Sequence, residues 1–342
     1  MTLAWFLYSI TSMARPVWHP DSLAARLPFL RRRALLTQAT RAFFVSRGYA
    51  EVETPYAVPT PGEEVHLHAF RTERELPDGR REPLWLHTSP EFAMKKLLVA
   101  AVGPIFQIAR VWRNNEGSDL HSAEFTMLEW YRPGADMDDL IEETTAFLRT
   151  VLPPDVACRG VTTDLSRTER LTVAEAFSRY VGADVLATAD DAPALAAAAN
   201  ARLRAGETWE DLFFRLLLER IEPRIGWAHP TFLTHWPAAQ AALARRDPGD
   251  PRVAERFELF VCGIELANAF VELTDAVEQR ARFEADRARR NAVSGPDWPL
   301  DEDFLDALTF GMPPAAGIAL GFDRLAMIAS GADRVDQVLW LP

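Results

Sequence analysis

The sequence predicts an α+β fold in which an antiparallel β-sheet is flanked by helices. Segments with strand-like alternation dominate both ends of the 342-residue chain, and helical patterns flank or interrupt them. The regular strand-helix repeat of parallel α/β sheets is not seen. With 48% hydrophobic and 25% charged residues, the chain has the composition of a globular protein with a substantial core.

The elements of the first half follow from apolar periodicity and turn residues. A long helix is predicted over residues 27 to 47, with Gly48 as its stop, and Ser89 to Glu91 open a second helix. Strands are predicted at 49–55, from Leu84 onward, at 104–113 and at 123–131. A hairpin turn is predicted at 77–79 and a polar loop at 114–122. Two further helices are predicted at 137–152 and 173–180.

The second half is predicted to begin with an inserted helical region around residues 187–225, which is interpreted as an insertion and not as a separate domain. Three strands follow, in "TFLTHWP", "RFELFVCGIELANAF" and "GIALG". A helix is predicted over residues 274 to 291, and another opens at Phe322.

The opening stretch "MTLAWFLYSITSM" is interpreted as part of an N-terminal extension over residues 1–21. It is apolar for only about ten residues, whereas a membrane-spanning helix needs about 20, and it lacks the basic start of a signal peptide. No membrane association is expected, and the true start is either Met1 or Met13.

Charge and cysteine content restrict the class of protein. The 49 acidic and 37 basic side chains give a net charge of −12, which argues against broad binding to DNA or RNA phosphates. Cys158 and Cys262 form no CxxC pair, so a reducing cytoplasm is expected. Two basic groups are interpreted as solvated helix faces, Arg31 to Arg33 and the run at Arg287, Arg289 and Arg290.

The strand predicted in "EFTMLEWY" carries a carboxylate on an apolar face. Burying an unpaired carboxylate is costly, so Glu129 is interpreted either as the partner of a neighbouring arginine or as a ligand for a cationic group. Alternation places Phe125, Met127, Glu129 and Tyr131 on one face, and Thr126, Leu128 and Trp130 on the other.

The segment "ERFELFVCGIELANAFVELTD" contains Glu258, Glu265, Asn268 and Glu272. Two carboxylates on a strand suit Mg²⁺ bound against nucleotide phosphates. Glu258 and Glu265 share a strand face only if the strand has a bulge, which is expected at Gly263. The alternative is a surface helix with residues 265, 268 and 272 on one side.

A third signal is "GIALGFDRLAMIASG", which predicts a small-residue strand, a glycine turn and a helix with Asp323 and Arg324 in its first turn. A helix N-terminus favours anions, and an arginine there can bind a phosphate through two nitrogens. The alternative is a helix cap with an ordinary salt bridge.

In this order, the segments resemble the class II aminoacyl-tRNA synthetases. Arg113 with its loop and His121 resembles motif 2, the Glu258/Glu265 segment with the Gly-x-Asp-Arg turn resembles motif 3, and "FFVSRGYAEVETP" resembles motif 1, the dimer-interface element. "TSPE", "EFTMLEWY", "RFELF", "ELANAFVELTD" and "GIALGFDRL" are similar to lysyl-tRNA synthetases and to their truncated paralogues, the elongation factor P–(R)-β-lysine ligases. Residues 22–342 are therefore expected to form one catalytic domain.

The resemblance implies ATP-dependent formation of an aminoacyl-adenylate, with ATP and Mg²⁺ as cofactors. It implies three catalytic residues, Arg113 at the α-phosphate and His121 and Arg324 at the outer phosphates, with Phe125 stacked on adenine. The implied ATP-binding residues are Arg113, Asn114, Asn115, His121, Ser122, Phe125, Glu265, Leu266, Gly321 and Arg324, and the implied metal ligands are Glu258 and Glu265.

The resemblance also implies an amino-acid pocket. Asn268 would contact the substrate carboxylate, Glu91 its amino group, and Glu129, Tyr131 and Glu272 a terminal ammonium. The full implied set is Ser89, Pro90, Glu91, Glu129, Tyr131, Asn268, Glu272 and Ala319. Three positions depart from the family pattern, with Asn115 in place of Glu, Ser122 in place of Asn and Ala269 in place of Gly.

Ser89 and Ala319 match the ligase pattern, and about 20 residues before the catalytic region are too few for an anticodon-binding OB domain. The expected partners are therefore elongation factor P, (R)-β-lysine or lysine, and a second copy of the chain, without tRNA or DNA. A truncated synthetase-like enzyme that acylates tRNA or another carrier with lysine is the main alternative, and a catalytically inactive binding paralogue is a further one.

Overall fold

The structure, a computed structural model, describes residues 15–294 and 298–342. Most of the predicted N-terminal extension, including the choice between Met1 and Met13, lies outside the described residues. Within the described ranges, no helix is long and apolar enough to cross a membrane.

An eight-stranded sheet forms the centre of the fold, in the order β1-β5-β6-β13-β12-β11-β10-β9. The six middle strands are antiparallel, whereas β1 and β9 pair in parallel with β5 and β10 at the two edges. The sheet is thus mixed, with the predicted antiparallel part at its centre. Its strands are β1 Ala50–Glu51, β5 Ile105–Trp112, β6 Glu124–Pro133, β9 Glu169–Thr172, β10 Thr231–Pro237, β11 Val253–Val261, β12 Ile264–Val271 and β13 Ala315–Gly321.

Smaller sheets and nine helices of the described ranges surround this centre. The smaller sheets contain β2 Ala57–Val58, β3 Arg71–Glu75 and β4 Arg81–Leu86, and β7 Asp155–Cys158 with β8 Val161–Asp164. The helices are α1 Pro20–Val45, α2 Glu91–Val99, α3 Met137–Val151, α4 Val173–Tyr180, α5 Ala192–Ala198, α6 Trp209–Leu216, α7 Ala276–Ser294, α8 Glu302–Gly311 and α9 Phe322–Ser330.

Two large apolar clusters hold the sheet between these helices. One joins α1, α3 and α9 to one face of the sheet and includes the stacked pair Phe44 and Phe106. The other joins α4, α5 and α6 to β10, with Phe213 stacked on Phe177 and edge-on to Trp236. The helical region around residues 187–225 therefore packs onto the edge of the same sheet.

Several predicted surface positions are buried. On α1, Leu30, Phe43 and Phe44 face the core, whereas Leu35 is 57% exposed. Arg33 is buried and pairs with Asp323 of α9 at 2.5 Å, so the solvated-face interpretation of this arginine is wrong.

Arg290 on α7 is buried as well, and it pairs with Glu63 at 2.9 Å. Charge spacing along a helix reveals which side chains share a face, but it does not reveal a buried partner that comes from a distant segment. The prediction of solvated helix faces therefore failed at Arg33 and Arg290, while Arg31 and Arg289 are exposed.

The segment from Glu258 to Glu272 is a hairpin, and neither a single bulged strand nor a surface helix. Cys262 and Gly263, both with positive φ, form the two-residue turn between β11 and β12. The bulge lies further along, where Leu259 pairs with Ala267 and Phe260 pairs with Glu265, so that Leu266 is the extra residue. The predicted bulge at Gly263 is therefore wrong.

Candidate active site

A cavity of about 570 Å³ opens above the central strands of the sheet. Its floor is a row of residues that are directly paired across neighbouring strands. Because opposite residues share a face, their side chains point into the same space. The row runs Gln107, Glu129, Ala319, Asn268 and Glu258, on β5, β6, β13, β12 and β11, and its three middle residues line the cavity. Four of these five were predicted as site residues from three segments of the sequence, and the sheet register brings them together.

Glu129 forms the closed end of this cavity. Its side chain is buried, accepts a short hydrogen bond from Ser89 Oγ, and accepts another from the Tyr131 hydroxyl at 3.2 Å. Burial and the nearby Glu91 raise the pKa of Glu129 to about 8. No arginine contacts it among the described residues, so the ion-pair interpretation is wrong and the ligand interpretation remains.

Lys95 on α2 neutralises two other carboxylates at this end. Its Nζ lies 2.6 Å from Glu91, one helical turn away, and 2.5 Å from Glu272 at the end of β12. The two carboxylates raise the pKa of Lys95 strongly enough to outweigh the opposing effect of burial. Sequence reasoning missed this residue, although a lysine four positions after Glu91 was a signal for it.

The Tyr131 ring lies directly over Gly317. A Cβ atom built on Gly317 would come within 2.3 Å of two ring carbons and 2.7 Å of a Glu272 oxygen. Only glycine fits there, because a methyl group would displace the ring that donates to Glu129. Gly321, by contrast, leaves open space, since a Cβ would meet only the stem of Arg324 at 3.4 Å.

The other end of the cavity is cationic. Arg113 places its guanidinium 5.2 Å from the centre of the Phe125 ring, and its buried Nε has no hydrogen-bond partner within the described ranges. A buried donor without a partner fits an anionic ligand such as a phosphate or carboxylate. The aromatic ring beside it fits a nucleotide base.

Arg324 and His121 act as one unit beside Arg113. Arg324 donates to the Glu265 carbonyl at 2.6 Å and lies 2.6 Å from His121 Nε2. A guanidinium cannot accept, so Nε2 must be unprotonated and Nδ1 carries the proton, facing Ser118 Oγ at 2.8 Å. Partial burial and the Arg324 charge lower the pKa of His121, which keeps the imidazole neutral.

Glu258 and Glu265 are the two carboxylates that the resemblance implies as Mg²⁺ ligands. Burial and the Glu265 charge raise the pKa of Glu258 to about 8, although Arg256 pairs with it at 2.7 Å. A cation between the two carboxylates would keep both ionised. In residues 15–294 and 298–342, no three His, Cys, Asp or Glu side chains are grouped for a metal, so phosphate oxygens would have to complete the coordination.

Arg256 was also missed, and it connects both halves of the site. Its guanidinium donates to Glu258, to the side-chain oxygen of Asn268 at 3.1 Å, and to the Gln240 carbonyl at 2.7 Å. Its face lies 4.1 Å from the Trp236 ring. The shared strand face of residues 256 and 258 was the available signal.

The remaining predicted residues differ in whether their side chains line the cavity. Ser122 and Glu116 line the cavity, whereas Asn114 and Asn115 turn away on the exposed loop, and Asn115 has a left-handed φ of 65°. The Leu266 side chain is in the core, so only its backbone can face a nucleotide. The N-cap of α2 is Pro90 and not Ser89. Ser89 Oγ accepts a hydrogen bond from the Glu91 amide at 3.0 Å.

A family model described as tRNA synthetases class II (D, K and N) matches residues 25–342. The chain belongs to this family. A class II synthetase domain activates an amino acid with ATP, and the predicted class II fold is thereby confirmed. The three letters denote aspartate, lysine and asparagine, so the match does not determine which amino acid is activated. That question depends on the side chains that line the cavity.

Proposed function

We propose that the chain is a cytoplasmic, AMP-forming ligase that activates (R)-β-lysine with ATP and transfers it to a lysine side chain of elongation factor P. The observation that carries the proposal is the buried Glu129 carboxylate at the closed end of the cavity, held by Ser89 and Tyr131 without a cation. A buried carboxylate of this kind fits the terminal ammonium of a lysine-type amino acid.

The charge of the closed end separates the three amino acids of the family. Glu91, Glu129 and Glu272 surround a single cation, Lys95, so the end remains negatively charged when all three are ionised. Aspartate would add a further negative charge, and asparagine would leave Glu129 unpaired. Only a lysine-type side chain supplies the missing positive charge.

The chain's residues would support two successive substitutions. In the first, a carboxylate oxygen of the amino acid attacks the α-phosphorus of ATP and pyrophosphate leaves. In the second, an acceptor amine attacks the acyl carbon and AMP leaves. Arg113 would hold the α-phosphate and the carboxylate, and Arg324, oriented by His121, would hold the outer phosphates. A bound Mg²⁺ would neutralise charge on the phosphates, held by Glu258 and Glu265.

Ala319 and Ser89 support the proposal of a β-amino acid as substrate. The net charge of the chain supports the proposal of a protein acceptor. Ala319 lies between Glu129 and Asn268 in the floor row, so its methyl group occupies space at the middle of the substrate. Ser89 donates to Glu129. Both match the ligase pattern, and the net charge of −12 gives little support for binding a polyanion such as tRNA.

Mass spectrometry of elongation factor P after incubation with this protein, ATP and (R)-β-lysine tests the proposal. The expected result is a mass increase of one lysyl unit, lost in Arg113→Ala and retained in Arg74→Ala, a control at an exposed arginine on β3. Lysyl-tRNA without modified elongation factor P would instead support the synthetase-like alternative. Faster pyrophosphate exchange with L-α-lysine than with (R)-β-lysine would refute the substrate assignment.

We also propose that the protein is a homodimer that associates through α1. The exposed face of α1 has an apolar stripe at Leu35, Ala42 and Val45, at spacings of seven and three residues. Analytical ultracentrifugation is expected to give twice the chain mass, and Leu35→Asp is expected to give the monomer. A monomeric wild-type protein at micromolar concentration would contradict this proposal.

A further inference from the structure

The loop between β2 and β3 carries Glu64, a carboxylate that lines the cavity and that none of the expected roles uses. Within the described ranges it makes no ion pair. Burial and the nearby Glu91 raise the pKa of Glu64, and Arg113 opposes this shift. Glu64 lines the same cavity as Glu91 at the amino-acid end and Arg113 at the phosphate end.

The Glu64 carboxylate lies close to Gly62 and Thr88. A Cβ atom on Gly62 would lie 2.6 Å from Glu64 Oε2 and 2.8 Å from Thr88 Oγ1, so the carboxylate folds back over the glycine, beside Thr88. Thr88 in turn donates to the Pro61 carbonyl at 2.9 Å. The Glu64 carboxylate thus lies near Thr88, the residue that precedes Ser89 in the chain.

The loop itself is anchored to the rest of the fold. Trp298 Nε1 donates to the Gly62 carbonyl at 2.7 Å, and Glu63 is paired with the buried Arg290. At the far end, the Asn114 amide donates to the His68 carbonyl at 2.6 Å. Glu64 is therefore presented by a fixed segment that joins the two ends of the cavity.

The charges at the amino-acid end leave two carboxylates without a cation. Glu91 and Glu272 share Lys95, whereas Glu129 and Glu64 have no ion-pair partner among the described residues. Glu116 also lines the cavity, but it lies beside His121 at the nucleotide end. The amino acid of the proposed function carries two ammonium groups, which equals the number of unpaired carboxylates.

We propose that Glu64, in place of Glu91, whose carboxylate is already paired with Lys95, binds the amino group of the substrate that is nearer to its carboxylate, while Glu129 binds the terminal ammonium. This inference rests on the proposed function and deepens it. Arg113 would hold the substrate carboxylate, and Glu64 lines the same cavity as Arg113 and Glu91, which places its carboxylate to receive an amino group one or two carbons from the substrate carboxylate. Glu64 is then a residue that determines specificity for the diamino acid.

The test compares two substrates in ATP–pyrophosphate exchange, (R)-β-lysine and 6-aminohexanoate, which keeps the terminal ammonium and lacks the second amino group. Glu64→Gln is expected to lower kcat/KM for (R)-β-lysine by at least about tenfold, the factor typical of one lost charge-assisted contact, and to leave kcat/KM for 6-aminohexanoate within about twofold. Glu64→Asp, which keeps the charge, is expected to restore part of the preference for (R)-β-lysine.

Glu210→Gln is the matched control, because Glu210 also lines the cavity but pairs with Arg289 on its outer side. This variant is expected to leave kcat/KM unchanged for both substrates. If Glu64→Gln lowers kcat/KM equally for both substrates, or slows only the transfer step, the inference is overturned and the proposed function remains intact. Wild-type protein that exchanges with no lysine-type substrate would refute the proposed function itself.

Discussion

Glu129 is the residue on which substrate choice depends most directly. In the free protein its carboxyl has a pKa of about 8, because it is buried beside Glu91 and receives only two hydrogen bonds. An incoming ammonium favours the ionised form. Substrate binding at neutral pH must therefore release a proton from this carboxyl, so affinity is expected to rise as the pH approaches 8.

Glu129→Gln is expected to lower kcat/KM for (R)-β-lysine about 10- to 100-fold in pyrophosphate exchange, in line with about 1.5–3 kcal/mol for a hydrogen bond to a charged group. In the wild type, KM is expected to fall between pH 6 and pH 8, and this fall is expected to disappear in the variant. Tyr131→Phe, which keeps the carboxylate, serves as a comparison with a smaller loss. An unchanged kcat/KM in Glu129→Gln would exclude the ammonium contact.

At the scale of elements, Lys95 connects α2 to the end of β12. The ion pairs to Glu91 and Glu272 are almost fully buried, so each carboxylate depends on this lysine for its counter-charge. Removing one partner of a buried pair typically costs about 3–5 kcal/mol, because the other charge is left uncompensated.

Lys95→Met is therefore expected to reduce the free energy of unfolding by about 3–5 kcal/mol in urea denaturation. The double variant Lys95→Met/Glu272→Gln removes one of the stranded charges, and it is expected to be more stable than Lys95→Met alone. Additive losses in the double variant would contradict the electrostatic explanation. Lys96→Met, next to it on a half-exposed face, is expected to cost less.

The local sequence pattern predicted most of the side chains in the site, but it did not predict which residues from other elements they contact. The alternation in β6 placed Glu129 and Tyr131 on one face because period-two spacing survives in any register. Lys95 and Arg256 were missed because their partners come from other elements. The same limit explains the wrong interpretation of Arg33, since its partner Asp323 lies on a helix at the other end of the chain.

For the whole molecule, several buried carboxyls make stability depend on pH. Burial raises the pKa of Glu63 and Glu272 to about 7, and that of Glu129 and Glu258 to about 8. In the unfolded chain each would titrate near about 4.3. Between these values the folded state holds more protons, so its stability decreases as pH rises through this window.

The thermal midpoint of the ligand-free protein is accordingly expected to fall from about pH 5.5 to about pH 8.5, as measured by differential scanning calorimetry. ATP, Mg²⁺ and (R)-β-lysine together are expected to reduce this fall, because they supply cations to Glu129 and Glu258. A midpoint that rises steadily with pH over the same range would contradict the raised pKa values.

The position of β13 has a consequence for how the protein folds. This strand is nearly the last element of the chain, yet it lies in the middle of the sheet between β6 and β12. Until residues 315–321 have left the ribosome, β6 and β12 have open edges and the floor row has a gap at Ala319. The site therefore cannot form before residues 315–321 are available for pairing, and the late closure of this long-range pairing is expected to make folding slow.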